Sequence, residues 1–312
     1  PSSTSALQHP DVRFVNINVA EFDAYKHSGL PLTGDALVTL QELGDALAGW
    51  ATDAAYQTRA RTYNAEWDAE VERIYNLEHG PLLSQGEVIG AVNTLSRPGD
   101  VVMCAAGSLP GDLHKLWRTR DPRGYHLEYG FSTMGYEIAG GLGIKLAAPE
   151  REVYVMVGDG SYLMLSTELV TAVQEGIKLI IVLINNHGYA SIGGLSKSVG
   201  SDGFGTKYRY RGESGQLDGE NIEVDFAANA ASLGAHVITA ANKDELANAL
   251  LEAQKLDQTV CIVVETDRRQ RVGGYEAWWD VAVAEVSDNP AVKDARAAYE
   301  EWKKKERTFF KR

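Results

Sequence analysis

Two short apolar runs, residues 153–157 and 179–184, flank a stretch with helical spacing. A polar cluster follows each run, Gly158-Asp159-Gly160 after the first and Asn185-Asn186 after the second. Between them apolar residues recur at Leu165, Leu169, Ala172 and Val173, which predicts a helix. Strand, helix, strand is the unit of a parallel sheet, and both polar clusters then sit at carboxyl ends of strands. Open parallel sheets bind ligands at that edge. A carboxylate and a carboxamide brought together there suit a hard divalent cation. Mg²⁺ takes oxygen ligands and usually keeps phosphate oxygens among them.

The same reading extends along the chain. Residues 13–19 predict a strand, and Leu37, Leu40, Leu43 and Leu47 share one face of a helix after it. One strand and one helix cannot close a core, so residues 1–50 read as the tail of a domain whose beginning is absent. Residues 51–80 predict a polar connecting helix on the surface, with Trp67, Val71, Ile74 and Tyr75 as its apolar side. Residues 81–266 read as a full α/β domain. Ser84-Gln85-Gly86-Glu87 is a capping-box pattern opening its first helix. Strands at 101–105, 236–239 and 260–265 alternate with helices at 225–233 and 244–256, and a glycine-rich helix begins near Ala139. Such alternation predicts a parallel sheet with helices on both faces. The glycine-rich segment 188–219 has little periodicity and follows the Asn pair directly, which makes it a candidate active-site cover. Residues 267–312 form a polar extension containing Trp278-Trp279 and a basic end, Lys303-Lys304-Lys305, read as a solvated helix terminus.

Composition narrows the function classes. The 312 residues exceed one typical domain. A net charge of −13 argues against nucleic acid and against an anionic membrane surface. No segment has the length and apolarity of a membrane span, and no signal peptide is visible. Cys104 and Cys261 both lie in apolar runs and read as buried free thiols, which fits a reducing cytoplasm. The first residues, Pro1-Ser2-Ser3-Thr4-Ser5, lack Met, so a processed chain or fragment is expected.

Gly158-Asp159-Gly160, a helix, and Asn185-Asn186, with Asp159 and Asn186 27 positions apart, resemble the signature of thiamine-diphosphate-dependent enzymes. The resemblance implies a thiamine-diphosphate-binding fold preceded by the tail of a central Rossmann-like domain. It implies Mg²⁺ held by Asp159, Asn186 and the backbone carbonyl of Gly188. Phe131-Ser132-Thr133-Met134-Gly135 is similar to the family's Gly-x-Met-Gly element. Met134 would prop the cofactor in its bent shape, and the Ser132 backbone would accept from the 4′-amino group. The segment from Ser108 to Trp117, ending in His114-Lys115-Leu116-Trp117, matches a loop over the diphosphate, with Ser108 and His114 as candidates. Gly160 and Ser161 would offer amides to the diphosphate, because helix amino termini favour anions. The family's activating glutamate comes from an amino-terminal pyrimidine-binding domain, which nothing in this chain resembles. No catalytic residue is therefore assigned within it, and that domain is an expected partner.

Finer matches point to one branch. Phe204-Gly205-Thr206-Lys207-Tyr208-Arg209, the Ser108–Trp117 segment, and the run from Trp278 to Ser287 resemble the trihydroxycyclohexanedione hydrolases of myo-inositol catabolism. That branch opens a cyclic polyol diketone to 5-deoxyglucuronate, the thiazolium serving as electron sink. Ser191, Ser196, Lys197, Ser198, Tyr208 and Arg209 are available to hydrogen-bond a polyol. His187, between Asn186 and Gly188, has no role that the sequence suggests. Fold and motif alone also admit an acetolactate-synthase-like carboligase, a 2-oxoacid decarboxylase, or a cofactor-binding half-chain that is catalytically incomplete. A homodimer or tetramer is expected.

Overall fold

The computed structural model describes residues 6, 7, 9, 11–275 and 278–307. Pro1-Ser2-Ser3-Thr4-Ser5 and the last five residues of the carboxyl-terminal extension lie outside the described residues. The chain divides into two compact units, residues 1–66 with 274–312, and residues 67–273.

In the first unit β1 (Val15–Asn18) is followed by α1 (Glu21–Ala24), β2 (Leu30–Thr33) and α2 (Ala36–Ala46). β1 and β2 pair in parallel, Val15 opposite Leu30. The second strand was not expected; it contains Pro31, and in a two-stranded pair every strand is an edge, where proline is tolerated. Leu37, Leu40, Leu43 and Leu47 remain exposed, since a two-stranded pair has little surface with which to cover a helix.

α3 (Ala54–Tyr75) is the helix expected over residues 51–80, and its apolar side is buried. Its carboxyl-terminal turns belong to the second unit, where Val71, Ile74 and Tyr75 are buried in the core. Their spacing places them on one face, and burial of that face ties the helix to the sheet.

The second unit continues with α4 (Gln85–Leu95), β3 (Val101–Cys104), α5 (Leu109–Leu116), β4 (Tyr125–Leu127) and α6 (Tyr136–Ala147). Then come β5 (Val153–Gly158), α7 (Asp159–Met164), α8 (Glu168–Gln174), β6 (Ile180–Asn185) and α9 (Ala190–Ser198). It ends with α10 (Phe226–Ser232), β7 (His236–Ala240), α11 (Lys243–Lys255) and β8 (Val260–Glu265). The six strands form one wholly parallel sheet in the order β4-β3-β5-β6-β8-β7. In the first unit, α12 (Pro290–Lys303) follows; Trp278 stacks on its Trp302, ring centroids 6.0 Å apart, while Trp279 is exposed.

The sheet is covered on both faces, and the strands read accordingly as near-continuous apolar runs. Tyr154 and Met156 of β5, with Ile180, Val182 and Ile184 of β6, face a core shared with α3, α4, α5 and α11. Their neighbours Val153, Val155, Val157, Ile181 and Leu183 face a second core with α6, α8 and α10. Cys104 and Cys261 are buried free thiols, one in each core. The capping box of α4 is present: Ser84 Oγ accepts from Glu87 N at 3.2 Å and Ser84 N donates to Glu87 Oε2 at 2.8 Å.

Two expected elements differ in detail. The helix between β5 and β6 is two helices, because Leu165 leaves helical conformation at φ −153° and ψ 73°. Leu169 and Ala172 are buried as their spacing suggests, while Leu165 and Val173 are exposed. Apolar spacing is insensitive to a short break that preserves phase. The segment 188–219 is not wholly irregular either, since it contains α9. Ser and Gly dominate that helix and carry weak helix propensity, so tertiary packing decides it.

Two predictions test this architecture. A Cβ on Gly141 of α6 would overlap the Val155 side chain of β5, whereas Gly143 faces open space. Gly141→Ala should therefore cost about 1–3 kcal/mol, and Gly143→Ala should be neutral or stabilising by up to ~1 kcal/mol, in urea denaturation. Asp112 in α5 is buried and accepts from Gln85 Nε2 at 2.7 Å, and burial pushes its pKa up to about 6. A raised carboxyl pKa means the folded state holds the proton more tightly. The resulting stability is complete below pH 4 and is lost as pH rises through about 6. Asp112→Asn keeps an acceptor for Gln85 and should flatten that decline by roughly 2–3 kcal/mol between pH 4 and 7.5, read from denaturation at both pH values.

Candidate functional site

The chain leaves β3 toward β4 and leaves β5 toward β6, so strand order reverses between β3 and β5. A crevice opens at such a switch point, outside the carboxyl ends of the strands. Here it is a cavity of about 340 Å³. Its walls are residues 106–109 after β3, 158–161 after β5, Asn186 and 188–192 after β6, Leu195 of α9, Gln85 of α4, and Tyr129, Ser132 and Met134 before α6.

Eight of the nine residues singled out in the sequence meet in this cavity: Ser108, Ser132, Met134, Asp159, Gly160, Ser161, Asn186 and Gly188. His114 does not line it. It sits exposed on α5 with its ring against Tyr125 and Tyr129, centroids 5.7 and 6.1 Å away, and borders the cavity only through Tyr129. Helix direction turns it there, one turn beyond the residues that face the opening. Of the polar residues suggested for a polyol, Ser191 lines the cavity, and Ser196, Lys197, Ser198, Tyr208 and Arg209 do not.

Asp159 ends the strand run and begins α7, which leaves its carboxylate wholly buried at the cavity floor. Its Oδ2 accepts from Gly188 N at 2.7 Å and its Oδ1 from Asn186 N at 3.5 Å. The aspartate thus gathers the loop that bears the other two expected metal ligands. Burial is the main influence on its pKa and pushes it up, opposed by those backbone donors. The Asn186 Oδ1 is buried with no hydrogen-bond partner among the described residues. The Tyr208 hydroxyl is buried beside Asp159, and burial followed by the Asp159 charge pushes its pKa up. Gly188 is held at φ 146° against the backbone of Thr206 and Lys207, where a Cβ would overlap Thr206 O. Only glycine fits that approach. Among the described residues no group of three His, Cys, Asp or Glu side chains could hold a metal ion, so a cation in this cavity would draw on the Asp159 carboxylate, the Asn186 carboxamide and main-chain carbonyl.

The turn after β6 is braced from behind. His187 adopts a left-handed φ of 58°, its Nε2 is 2.7 Å from Glu265 Oε2, and Asn185 Nδ2 donates to Glu265 Oε1 at 2.6 Å. His187 N also donates to Asn185 Oδ1 at 3.1 Å. His187 therefore anchors the turn that presents Asn186 and Gly188 and turns away from the cavity.

Several contributors carried no periodic signal. Gln85 Oε1 accepts from Ser108 Oγ at 3.2 Å while its amide donates to Asp112. Glu128 accepts from Phe131 N at 3.1 Å and Thr133 N at 2.7 Å, which shapes the loop holding Ser132 in a left-handed conformation at φ 51°. Those backbone donors hold the Glu128 carboxyl below the usual range. Glu137 is 1% exposed and bonded to three parts of the wall. A single acidic residue within the small and apolar run from Met134 to Leu142 is the signal that would have found it.

Residues 105–264 match the family model described as thiamine pyrophosphate enzyme, C-terminal TPP binding domain. The chain is 39% identical, over 96% of its length, to proteins named 3D-(3,5/4)-trihydroxycyclohexane-1,2-dione hydrolase from Bacillus cereus (strain AH820) and Bacillus anthracis. A relative of the same name from Bacillus thuringiensis (strain Al Hakam) is equally similar. The chain spans about half the length of these relatives, 50% of each. Among solved structures, the Rhodococcus jostii RHA1 thiamine diphosphate-dependent 4-hydroxybenzoylformate decarboxylase aligns with a TM-score of 0.51 at 22% identity, over 60% of this chain and 33% of that one. That likeness shows the fold: a parallel sheet with helices on both faces. The match across the sheet, with its ligand crevice at the β3–β5 reversal, identifies the chain as a member of the thiamine pyrophosphate enzymes, carrying their C-terminal TPP-binding domain.

Proposed function

We propose that this chain is the diphosphate-binding half of a thiamine-diphosphate- and Mg²⁺-dependent hydrolase that cleaves a C–C bond in trihydroxycyclohexane-1,2-dione, giving 5-deoxyglucuronate in inositol catabolism. The observation that carries the cofactor reading is the buried, unpartnered Asn186 Oδ1 beside the buried Asp159 carboxylate. An orphaned oxygen in a buried site costs free energy until something binds it. A hard cation with phosphate oxygens meets that need, with Asp159, Asn186 and the Gly188 carbonyl as its protein ligands. Gly160 and Ser161 would offer backbone amides to the diphosphate, and Ser108 a hydroxyl oriented by Gln85. Met134 would support the bent cofactor, with the Ser132 carbonyl toward its amino group. Bound thiamine diphosphate supplies a nucleophilic thiazolium carbon and an electron sink.

The shared name of the 39%-identical relatives supports the hydrolase reading. Ser191 on α9 is a hydrogen-bond group for a polyol, and the 188–219 segment would close over it. Asp159 is the only acidic residue lining the cavity among the described residues, and it is committed to the metal. The resemblance implies that the carboxylate that activates the pyrimidine is supplied by a pyrimidine-binding domain, and this reading includes assembly as a homodimer or tetramer. By this reading residues 1–50 are the tail of a central domain, 51–80 a connector, 81–266 the diphosphate-binding domain and 267–312 an extension. No helix among the described residues is long and apolar enough to cross a membrane, and the two free thiols fit a cytoplasmic enzyme.

Asp159→Ala should abolish Mg²⁺-dependent thiamine-diphosphate binding in calorimetric titration of the complete protein, whereas His114→Ala should stay within about threefold of the parent affinity. Unchanged affinity in the Asp159 variant would remove it from the metal shell. For the substrate, ring opening of the cyclic diketone by the complete protein supports the hydrolase, and turnover of pyruvate instead would make it a carboligase or decarboxylase. With this chain alone, deuterium exchange at the cofactor's C2 position, followed by NMR, should stay at the free-cofactor rate. Addition of the amino-terminal half should accelerate it. Full acceleration by this chain alone would show that the activating carboxylate lies within it.

A further inference from the structure

Glu137, in the first turn of α6, is buried beneath the cavity and does not line it. Its Oε1 accepts from Ala106 N at 3.1 Å, where the chain leaves β3. Its Oε2 accepts from Gly135 N at 3.1 Å, in the turn that presents Met134. Ser161 Oγ, on α7 just beyond Asp159, lies 2.8 Å from both carboxyl oxygens and itself accepts from Gly135 N at 2.8 Å. One side chain therefore ties together three of the segments that make up the cavity wall, each from a different part of the sequence.

We infer that Glu137 is a positioning residue for the cofactor site, cross-tying the walls after β3, before α6 and after β5 through hydrogen bonds so that the site is shaped before ligand arrives. This rests on the cofactor reading above. The serine hydroxyl has a single proton and two short contacts to carboxyl oxygens. A protonated carboxyl satisfies the second contact by donating to Ser161 Oγ, so the group works as acceptor and donor together. Burial pushes the Glu137 pKa up, opposed by the hydrogen bonds from Ser161, Ala106 and Gly135. A neutral acid also avoids placing a buried negative charge behind a subsite for a diphosphate. With its hydroxyl engaged, Ser161 has only its backbone to offer the ligand.

Apart from activity, the consequence is read in cofactor affinity. Glu137→Met keeps the volume and loses every hydrogen bond; Glu137→Gln keeps an acceptor for Ala106 and a donor for Ser161. In the complete protein, titrated with thiamine diphosphate and Mg²⁺ and read by calorimetry, Glu137→Met should bind roughly tenfold or more weaker. Glu137→Gln should recover most of that loss. Amide exchange at Ala106 in the ligand-free protein should rise in the Met variant and not in the Gln variant. Should Glu137→Met fail to fold, Ser161→Ala removes the shared partner without disturbing α6, and it should weaken binding in the same sense. Parent-like affinity in Glu137→Met, or in Ser161→Ala where that stands in, overturns the inference, as does equal loss in the Gln and Met variants. Absence of binding by the unmutated protein would instead overturn the cofactor reading on which it rests.

Discussion

A parallel sheet packed on both faces admits no water along its strands, so polar chemistry is forced to the strand ends. In this chain β5, β6 and β8 are buried along nearly their whole length, and consecutive residues alternate between two cores. The backbone ladder satisfies the strands internally, and the first unpaired polar groups occur where they stop. That is where Asp159, Asn186 and Ser108 stand. The reversal of strand order between β3 and β5 prevents a crossover from covering that edge, and the cavity is the gap left. Everything proposed for the molecule depends on this combination of a sealed sheet with one open edge.

Burying Asp159 there is unfavourable in isolation, and the structure uses the cost. The carboxylate draws in the Gly188 and Asn186 amides, which sets the turn after β6. That turn in turn leaves Asn186 Oδ1 without a hydrogen-bond partner among the described residues. Among the described residues the site thus has a set turn and an unmet oxygen, which the proposed cation and its phosphates would use.

Carboxyl groups outside the cavity do a second kind of work. Glu128 organises the loop before α6, Glu265 holds Asn185 and His187, and Glu137 joins three walls. Each accepts from groups on segments distant in sequence or from loop amides that have no strand or helix to pair with. The acidic composition of the chain is thus partly internal structure, spent on loops that a ligand-binding edge cannot pair in a ladder.

The alternation of apolar runs and helix-period stretches by itself determined the α/β class, the parallel sheet, and the junction from Val157 through Asp159 to Asn186. Those features depend on residues near one another in the chain, where spacing and burial are directly coupled. Other features were decided only by tertiary structure. The break at Leu165 and the helix at residues 190–198 carry too little local propensity to be read from pattern. The burial of Val71, Ile74 and Tyr75 depends on a sheet formed by later residues. His114 was displaced from the site because a motif specifies order along the chain and not the direction in which a helix points it. The groups that Glu137 and Glu265 bond became visible only when segments tens of residues apart were brought together, since a hydrogen bond between distant parts of a chain leaves no periodic trace in its sequence.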